Sequence, residues 1–189
     1  MKEIIEKARE YALKEIELNK SPSIEFFDLA NENGRKIAKT FEVDQNIVML
    51  GTILMDLKIG ECIKEGKIPE HIDRSSKAAQ EFLNQFDLDE ETKNKIVNCI
   101  EAHHGTKEYI CKEAEICANA DCYRFLHPKG VLTYLTILGK RFDNLNECLD
   151  QLEKKMEEKH NILSLDLAKE ELEPYYQQFK ELIKKAKVK

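Results

Sequence analysis

The stretch from Ile96 to Leu126, IVNCIEAHHGTKEYICKEAEICANADCYRFL, predicts two consecutive helices with polar side chains turned inward. In the first helix Ile96, Ile100 and His104 are four residues apart, so one helical face carries all three. Gly105 is then expected to cap this helix at its C-terminus. The second helix has one apolar stripe that includes an aspartate, and its members are Ala114, Cys117, Ala118, Asp121 and Phe125.

An aspartate on an apolar stripe needs a partner. Removing an ionised carboxylate from water costs several kcal/mol unless a cation or hydrogen-bond donors meet it. Because His103 and His104 end the preceding helix, they are candidates to face Asp121 if a metal ion lies between them. The alternative is an ordinary hydrogen bond for Asp121 and solvent for both histidines. Two histidines and one aspartate are not a motif, so the rest of the chain has to decide.

The composition is that of a folded helical protein. The chain has 189 residues, of which 42% are hydrophobic and 35% charged, enough for one domain with a substantial core. Seven glycines, four prolines and no tryptophan leave little turn punctuation, which favours long helices over short strands. The formal net charge of −6 argues against a nucleic-acid polymer as the partner.

The sequence predicts a cytoplasmic protein without a membrane partner. No apolar run approaches the ~20 residues of a membrane span, and the amphipathic start lacks the apolar region of a signal peptide. In that compartment cysteines are free thiols or metal ligands rather than disulfides. There are six of them, at positions 62, 99, 111, 117, 122 and 148.

Helical periodicity predicts three helices in the first third of the chain. The first spans residues 2–18 and the second about 25–41. Asp44 is the expected N-cap of the third, QNIVMLGTILMDLKI. That helix is apolar on nearly all sides, so we expect it to be central, with Asp56 inside it and Gly60 closing it.

The next part of the chain continues the helical pattern after a predicted loop, GECIKEGKIPEH. His71 then starts a stripe with Ser75, Ala78, Ala79 and Phe82. Asp87 and Glu90 have the spacing of a capping box for the helix that ends at His104. Later helices are predicted at 111–126, 131–139, about 144–160 and from about 164. The sequence therefore predicts a single all-α domain, residues 1–189, of about eight to nine helices.

Four inward polar positions recur in order along these helices. They are Asp56, His71, the pair His103 and His104, and Asp121, and such side chains bind hard or borderline metal ions. The segments that carry them resemble the HD superfamily of metal-dependent phosphohydrolases. These segments are FEVDQNIVMLGTILMDLKIG, HIDRSSKAAQEFL, IVNCIEAHHG and AEICANADCYRFL. The resemblance covers about 26–126 and implies an HD-like helical domain, with 130–189 as a C-terminal helical extension.

The sequence departs from the family pattern at two positions. Met55 stands where the family has the histidine of its His-Asp doublet, and the position of the first histidine falls near Phe26 or Phe27. The family's primary metal uses both histidines, so the resemblance implies a reduced site. Because a thioether is a poor ligand for Mg, Mn or Fe(II), Met55 is not expected to replace the imidazole.

The remaining ligands imply one divalent ion (Mn, Fe, Mg, Ni or Zn). Asp56, His71 and either His103 or His104 would hold it, with Asp121 as a further candidate. The implied activity is hydrolysis of a nucleotide or other small phosphorylated molecule, with the ion polarising the phosphoryl group and activating water. Asp56 and Lys58 are the catalytic candidates, and Lys58 would hold the phosphate unless it faces solvent.

Three other interpretations stay open. The first is a degenerate domain of the same fold that binds a ligand without turnover. The second is a di-iron bundle built on Glu101-x-x-His104 and Glu157-x-x-His160, although the second pair lies in a segment charged nearly all round. The third is a zinc or iron–sulfur site formed by Cys111, Cys117 and Cys122. Assembly into a homo-oligomer is also open.

Overall fold

The computed structural model describes residues 1–187, and all regular structure in that range is helical. Nine α-helices have ten residues or more, which confirms the all-α prediction of eight to nine helices, and a tenth, α4, has six residues. The helices are α1 (Lys2–Asn19), α2 (Ile24–Ala38), α3 (Gln45–Leu54), α4 (Ile59–Lys64), α5 (His71–Leu83), α6 (Glu90–Ala102), α7 (Lys112–Leu126), α8 (Pro128–Leu138), α9 (Leu145–Ile162) and α10 (Asp166–Lys187).

Helix α7 lies at the centre of the fold. It packs against α2, α3, α6, α8, α9 and α10, and 13 of its 15 residues are buried. Because α7 is almost fully enclosed, water cannot solvate its polar side chains. Each of them therefore needs a partner inside the protein. Asp121 and Arg124 are among the buried ones.

Local signals begin several helices where the sequence predicts them. The Asp44 side chain accepts a hydrogen bond from the backbone N–H of Asn46 and caps α3, as expected. Gly105 follows α6 with a φ of +66°, the left-handed conformation expected of a glycine after a helix. The prediction for the start of α6 was wrong by two residues, because Asp89 rather than Asp87 accepts the bond from Thr92 N–H.

The third helix ends earlier than predicted. It stops at Leu54, so Asp56 lies in the turn that follows, and the predicted loop after Gly60 instead contains α4. The ladder tightens at Leu57, whose N–H bonds to Leu54 O, and the next N–H, that of Lys58, donates to Ser75 Oγ of α5 at 3.0 Å. The turn thereby directs Asp56 towards the start of α5.

Helix α9 of the C-terminal extension packs against α7 along one buried face. That face consists of Cys148, Leu149, Leu152, Met156 and Lys159. Glu157 is exposed, as the charged segment around it predicted, but the same segment contributes a fully buried lysine. Among residues 1–187, no helix combines the length and apolar character that a membrane span requires.

We predict that Gly60→Ala destabilises the protein. A Cβ at this position would lie 2.5 Å from Asn19 Cβ and 2.6 Å from the backbone oxygen of Ser21, so the loop between α1 and α2 would have to move. Overpacking of this kind costs about 1–3 kcal/mol in free energy of unfolding. Gly139→Ala is the matched control, because its Cβ would meet nothing closer than 3.5 Å. Urea denaturation that shows equal losses for both variants would contradict the predicted clash.

Candidate metal centre and ligand pocket

Three buried side chains from three parts of the chain meet at one point. Asp56 comes from the turn after α3, His71 is the first residue of α5, and His103 directly follows α6. The Nε2 atoms of His71 and His103 lie 3.6 and 3.7 Å from the same Asp56 oxygen, Oδ1. The structure therefore brings together three of the residues that the sequence singled out.

The hydrogen bonds of the two histidines determine what their inner nitrogens can do. Nδ1 of His71 lies 2.7 Å from the carbonyl oxygen of Ile68, and Nδ1 of His103 lies 2.6 Å from that of Ile100. A carbonyl only accepts, so each Nδ1 carries the proton and each Nε2 of the neutral ring presents a lone pair. This arrangement is typical of histidines that bind metal ions.

The inner atoms of this cluster have no hydrogen-bond partner. His71 Nε2, His103 Nε2 and Asp56 Oδ1 are all buried and unsatisfied among the described residues. Three acceptors cannot satisfy one another, but a cation between them would satisfy all three. Ligands at about 2.0–2.2 Å from a tetrahedral ion are separated by about 3.3–3.6 Å, close to the two distances between Asp56 Oδ1 and the histidine nitrogens.

His104 lies beside this cluster and provides a further imidazole. One ring nitrogen each of His71, His103 and His104 falls within 4.8 Å of the others. Burial lowers the pKa of His104 to about 2, with further lowering from the Lys159 ammonium. The ring therefore stays neutral, which is the form that binds a metal. The ring nitrogens of these three histidines could hold a divalent ion.

Asp121 is held by protein cations, contrary to the expectation that histidines and a metal face it. Lys159 Nζ lies 2.6 Å from its Oδ2, and Arg124 Nη1 lies 3.0 Å from its Oδ1. Burial alone would raise the pKa of Asp121, but these two cations outweigh burial and hold it below the usual value. His103 remains close, since Asp56, His103 and Asp121 also form a group within 4.8 Å.

Arg124 links the two carboxylates. The same Nη1 atom that contacts Asp121 lies 2.5 Å from Asp56 Oδ2. Sequence reasoning missed both cations. Lys159 continues the 149, 152, 156 spacing of the α9 stripe, and Arg124 follows Asp121 by three residues on α7, so helical spacing offered a signal for each.

The remaining predicted residues lie outside the cluster. Lys58 Nζ is 2.9 Å from Glu15 and 3.6 Å from Glu61, so its ammonium points to α1 rather than to the histidines. Met55 is buried and lines a void of about 10 Å³ with Asp56 and Arg124, so no imidazole completes the doublet.

The two other metal sites considered from the sequence are not assembled. Glu101 accepts from Ser76 and Lys107, and His160 contacts Glu173, so the two Glu-x-x-His pairs do not meet. Cys117 donates to Val48 and Cys122 to Ala118 and Lys159, all through backbone carbonyls. Within residues 1–187, the groups suited to metal binding contain no cysteine.

A cavity of about 530 Å³ opens beside the cluster. Asp56, His71, His104 and Arg124 form part of its wall. Its other lining residues include an aromatic group, Phe26, Phe125 and Tyr134, and four further cations, Lys20, Lys140, Arg141 and Lys155. Asp56 is the one acidic residue in this lining, although the whole chain carries a net charge of −6. The cavity thus combines local positive charge with an aromatic wall.

We expect Lys159→Met to lower the free energy of unfolding by about 3 kcal/mol or more, because it leaves Asp121 buried with one cation fewer. Lys155→Met, one turn earlier on α9, is the control. Lys155 forms a partly exposed pair with Glu158, and such pairs contribute about 0–1 kcal/mol. Chemical denaturation at neutral pH measures both. Losses of the same size would mean that the Lys159 pair contributes no more than a surface pair.

A second prediction concerns acid stability in the presence of a chelator. The folded-state pKa of His104 is about 2, below the ~6.5 of an unfolded histidine, so the unfolded chain binds a proton that the folded chain does not. The stability associated with neutral His104 is present above about pH 6.5 and is lost as the pH falls from there towards the folded pKa. His104→Gln should reduce the slope between about pH 6.5 and 5 by up to ~1.4 kcal/mol per pH unit. Unchanged slopes would contradict a neutral, buried His104.

Comparison with known proteins bears neither for nor against the resemblance. No protein-family model matches the sequence, and no curated protein or solved structure is significantly similar to it. Membership of the HD superfamily therefore stays a prediction from the sequence motifs. The function has to be argued from the geometry of this cluster and its cavity.

Proposed function

We propose that the protein is a metal-dependent phosphohydrolase with one divalent ion and a small phosphorylated substrate. The observation that carries the proposal is the convergence of three unpartnered acceptor atoms, from Asp56, His71 and His103, beside a positively charged cavity. His104 forms a group with His71 and His103 in which one ring nitrogen of each lies within 4.8 Å of the others, so it would be a further candidate ligand. When bound, the ion would polarise the phosphoryl group and lower the pKa of water.

The chain's own residues account for the choice of a phosphorylated substrate. Arg124 lines the cavity beside the proposed ligands, and a guanidinium binds phosphate oxygens through a planar set of donors. Lys140, Arg141 and Lys155 add positive charge farther along the same wall. A phosphate group at the end of the cavity beside Arg124 would therefore be surrounded by positively charged side chains.

The aromatic wall suggests a substrate with a planar or apolar part. Phe125 lies 5.1 Å from Phe26 and 5.2 Å from Tyr134 between ring centroids, both in edge-to-face packing. Such a surface can stack against a nucleobase or another flat group. Nucleotides are therefore the first class to test.

Asp56 fits a role as ligand and positioning group better than a role as general base. Burial would raise its pKa, but the Arg124 guanidinium outweighs burial and holds the pKa well below the usual range. A carboxylate with a low pKa accepts protons poorly near neutral pH. Its two oxygens instead have different partners: Oδ2 contacts Arg124, and Oδ1 faces the histidines.

A second candidate function is ligand binding without turnover. The observation that favours it is the neutralisation of both buried carboxylates by Arg124 and Lys159, which leaves no carboxylate in the cavity lining free to act as a base. Such a domain would bind the same phosphorylated ligand and the same ion but would not cleave the phosphate ester.

Phosphate release separates the two candidates. We predict that the purified protein with Mn²⁺ releases inorganic phosphate from a nucleoside monophosphate or a generic phosphomonoester, and that His71→Ala abolishes the release. The control is His127→Asn, which keeps an acceptor at the N-cap of α8 and lies outside the histidine cluster. Metal content of each variant is measured in parallel.

Each outcome of this experiment has a distinct meaning. Ligand-dependent stabilisation without phosphate release, under any divalent metal, would support the binding module instead. Stabilisation of about 2.7 kcal/mol is expected at a hundredfold excess of ligand over Kd. A wild-type protein that binds neither metal nor phosphate ester would contradict both proposals.

The cytoplasm remains the proposed location. All six cysteines are free thiols in the structure. Free thiols are typical of a reducing compartment, where glutathione and thioredoxin oppose disulfide formation. Fractionation of native cells with detection of the protein tests this location.

A further inference from the structure

We infer that Arg124 and Lys159 together take the place of a second divalent cation between Asp56 and Asp121. The inference concerns this pair of carboxylates and does not require that the protein hydrolyse anything. The Nη1 atom of Arg124 lies 2.5 Å from Asp56 Oδ2 and 3.0 Å from Asp121 Oδ1. Lys159 Nζ lies 2.6 Å from the other oxygen of Asp121.

The charges of the four groups support the inference that Arg124 and Lys159 replace a divalent ion. Two ionised carboxylates carry −2, and the guanidinium and the ammonium carry +2, the charge of one divalent ion. All four groups are nearly excluded from solvent, with exposed fractions of 6% for Asp56, 1% for Asp121, 4% for Arg124 and 0% for Lys159. In such surroundings charges must balance locally, because water cannot screen them.

The position suits a metal ion as well as it suits Arg124. Ligand atoms of Asp56, His103 and Asp121 lie within 4.8 Å of one another, so the three side chains would form a metal site if the guanidinium were absent. Met55 and Phe27 close the far side and line a narrow void with Asp56 and Arg124, so they offer no competing ligand. The protein cations thus occupy a place whose ligands are otherwise in position.

Arg124 is placed to do more than balance charge. Its Nε is a buried donor without a partner, and the side chain lines the cavity. Both of its contacts with carboxylates use Nη1, so neither carboxylate engages the other donors of the guanidinium. A metal ion at Asp56 and the histidines would bring the cluster to a net +2, which matches a phosphomonoester dianion.

The test removes both cations and counts metal ions. Arg124→Ala with Lys159→Ala leaves two facing carboxylates and the space of two long side chains, and we expect this double variant to bind one Mn²⁺ per chain more than the wild type. The matched control is Arg141→Ala with Lys155→Ala, which removes the same amount of charge, in this case from the cavity wall, without touching either carboxylate. Its metal content should equal that of the wild type. Equilibrium dialysis followed by elemental analysis gives the ratios.

Folding supplies an independent readout. Without metal the double variant should melt at a lower temperature than the control, and Mn²⁺ at a hundredfold excess over Kd should raise its melting temperature by about 5–10 °C beyond the shift of the wild type. A double variant that binds no additional ion, or that stays unfolded with Mn²⁺ present, overturns the inference. So does a wild-type protein that binds two ions per chain.

These outcomes can be told apart from failure of the proposed function. The number of ions on the wild type tests the histidine centre, whereas the difference between the double variant and the wild type tests the role of Arg124 and Lys159. A wild type with no ion and a double variant with one would support the substitution and contradict the proposed metal centre.

Discussion

The burial of two carboxylates in one interior is the constraint on which the rest of this structure depends. Asp56 and Asp121 face the same guanidinium, and each would be prohibitively costly to bury alone. Arg124, on α7, offsets part of that cost, and Lys159, on α9, offsets the rest. The C-terminal extension is therefore joined to the central helix by a buried ion pair as well as by apolar packing.

Asp56 connects that ion pair to the histidine cluster, because its two oxygens serve different neighbours. Arg124 fixes Oδ2, which leaves Oδ1 directed at the Nε2 atoms of His71 and His103. The backbone carbonyls of Ile68 and Ile100 hold the two rings by accepting hydrogen bonds from their Nδ1 atoms. Three acceptor atoms are thus oriented by bonds within the protein, so an ion that bound there would require little further ordering.

The distribution of charge sets the character of the cavity. A chain with a net charge of −6 repels anions at a distance, yet the lining of this cavity contains five cations and one acid. Arg124 and Lys155 also lie over the Phe125 ring, at 5.4 Å from its centroid in each case, so the aromatic wall helps to position the cations. Positive charge and a flat apolar surface therefore meet within reach of the same ligand.

The sequence by itself determined the helical class, several caps and the inward direction of His71 and Asp121, because those follow from spacing along one helix or from the residue at its end. Asp56 is buried as expected, but a turn rather than a helix directs it. Tertiary structure supplied the contact that follows the end of α3, since the N–H of Lys58 bonds to Ser75 on another helix. It also decided what faces Asp121. Arg124 meets Asp56 across 68 residues of sequence, and Lys159 lies in a segment whose charge predicted exposure. Periodicity shows which way a side chain points, but the partner it finds there depends on how the helices pack.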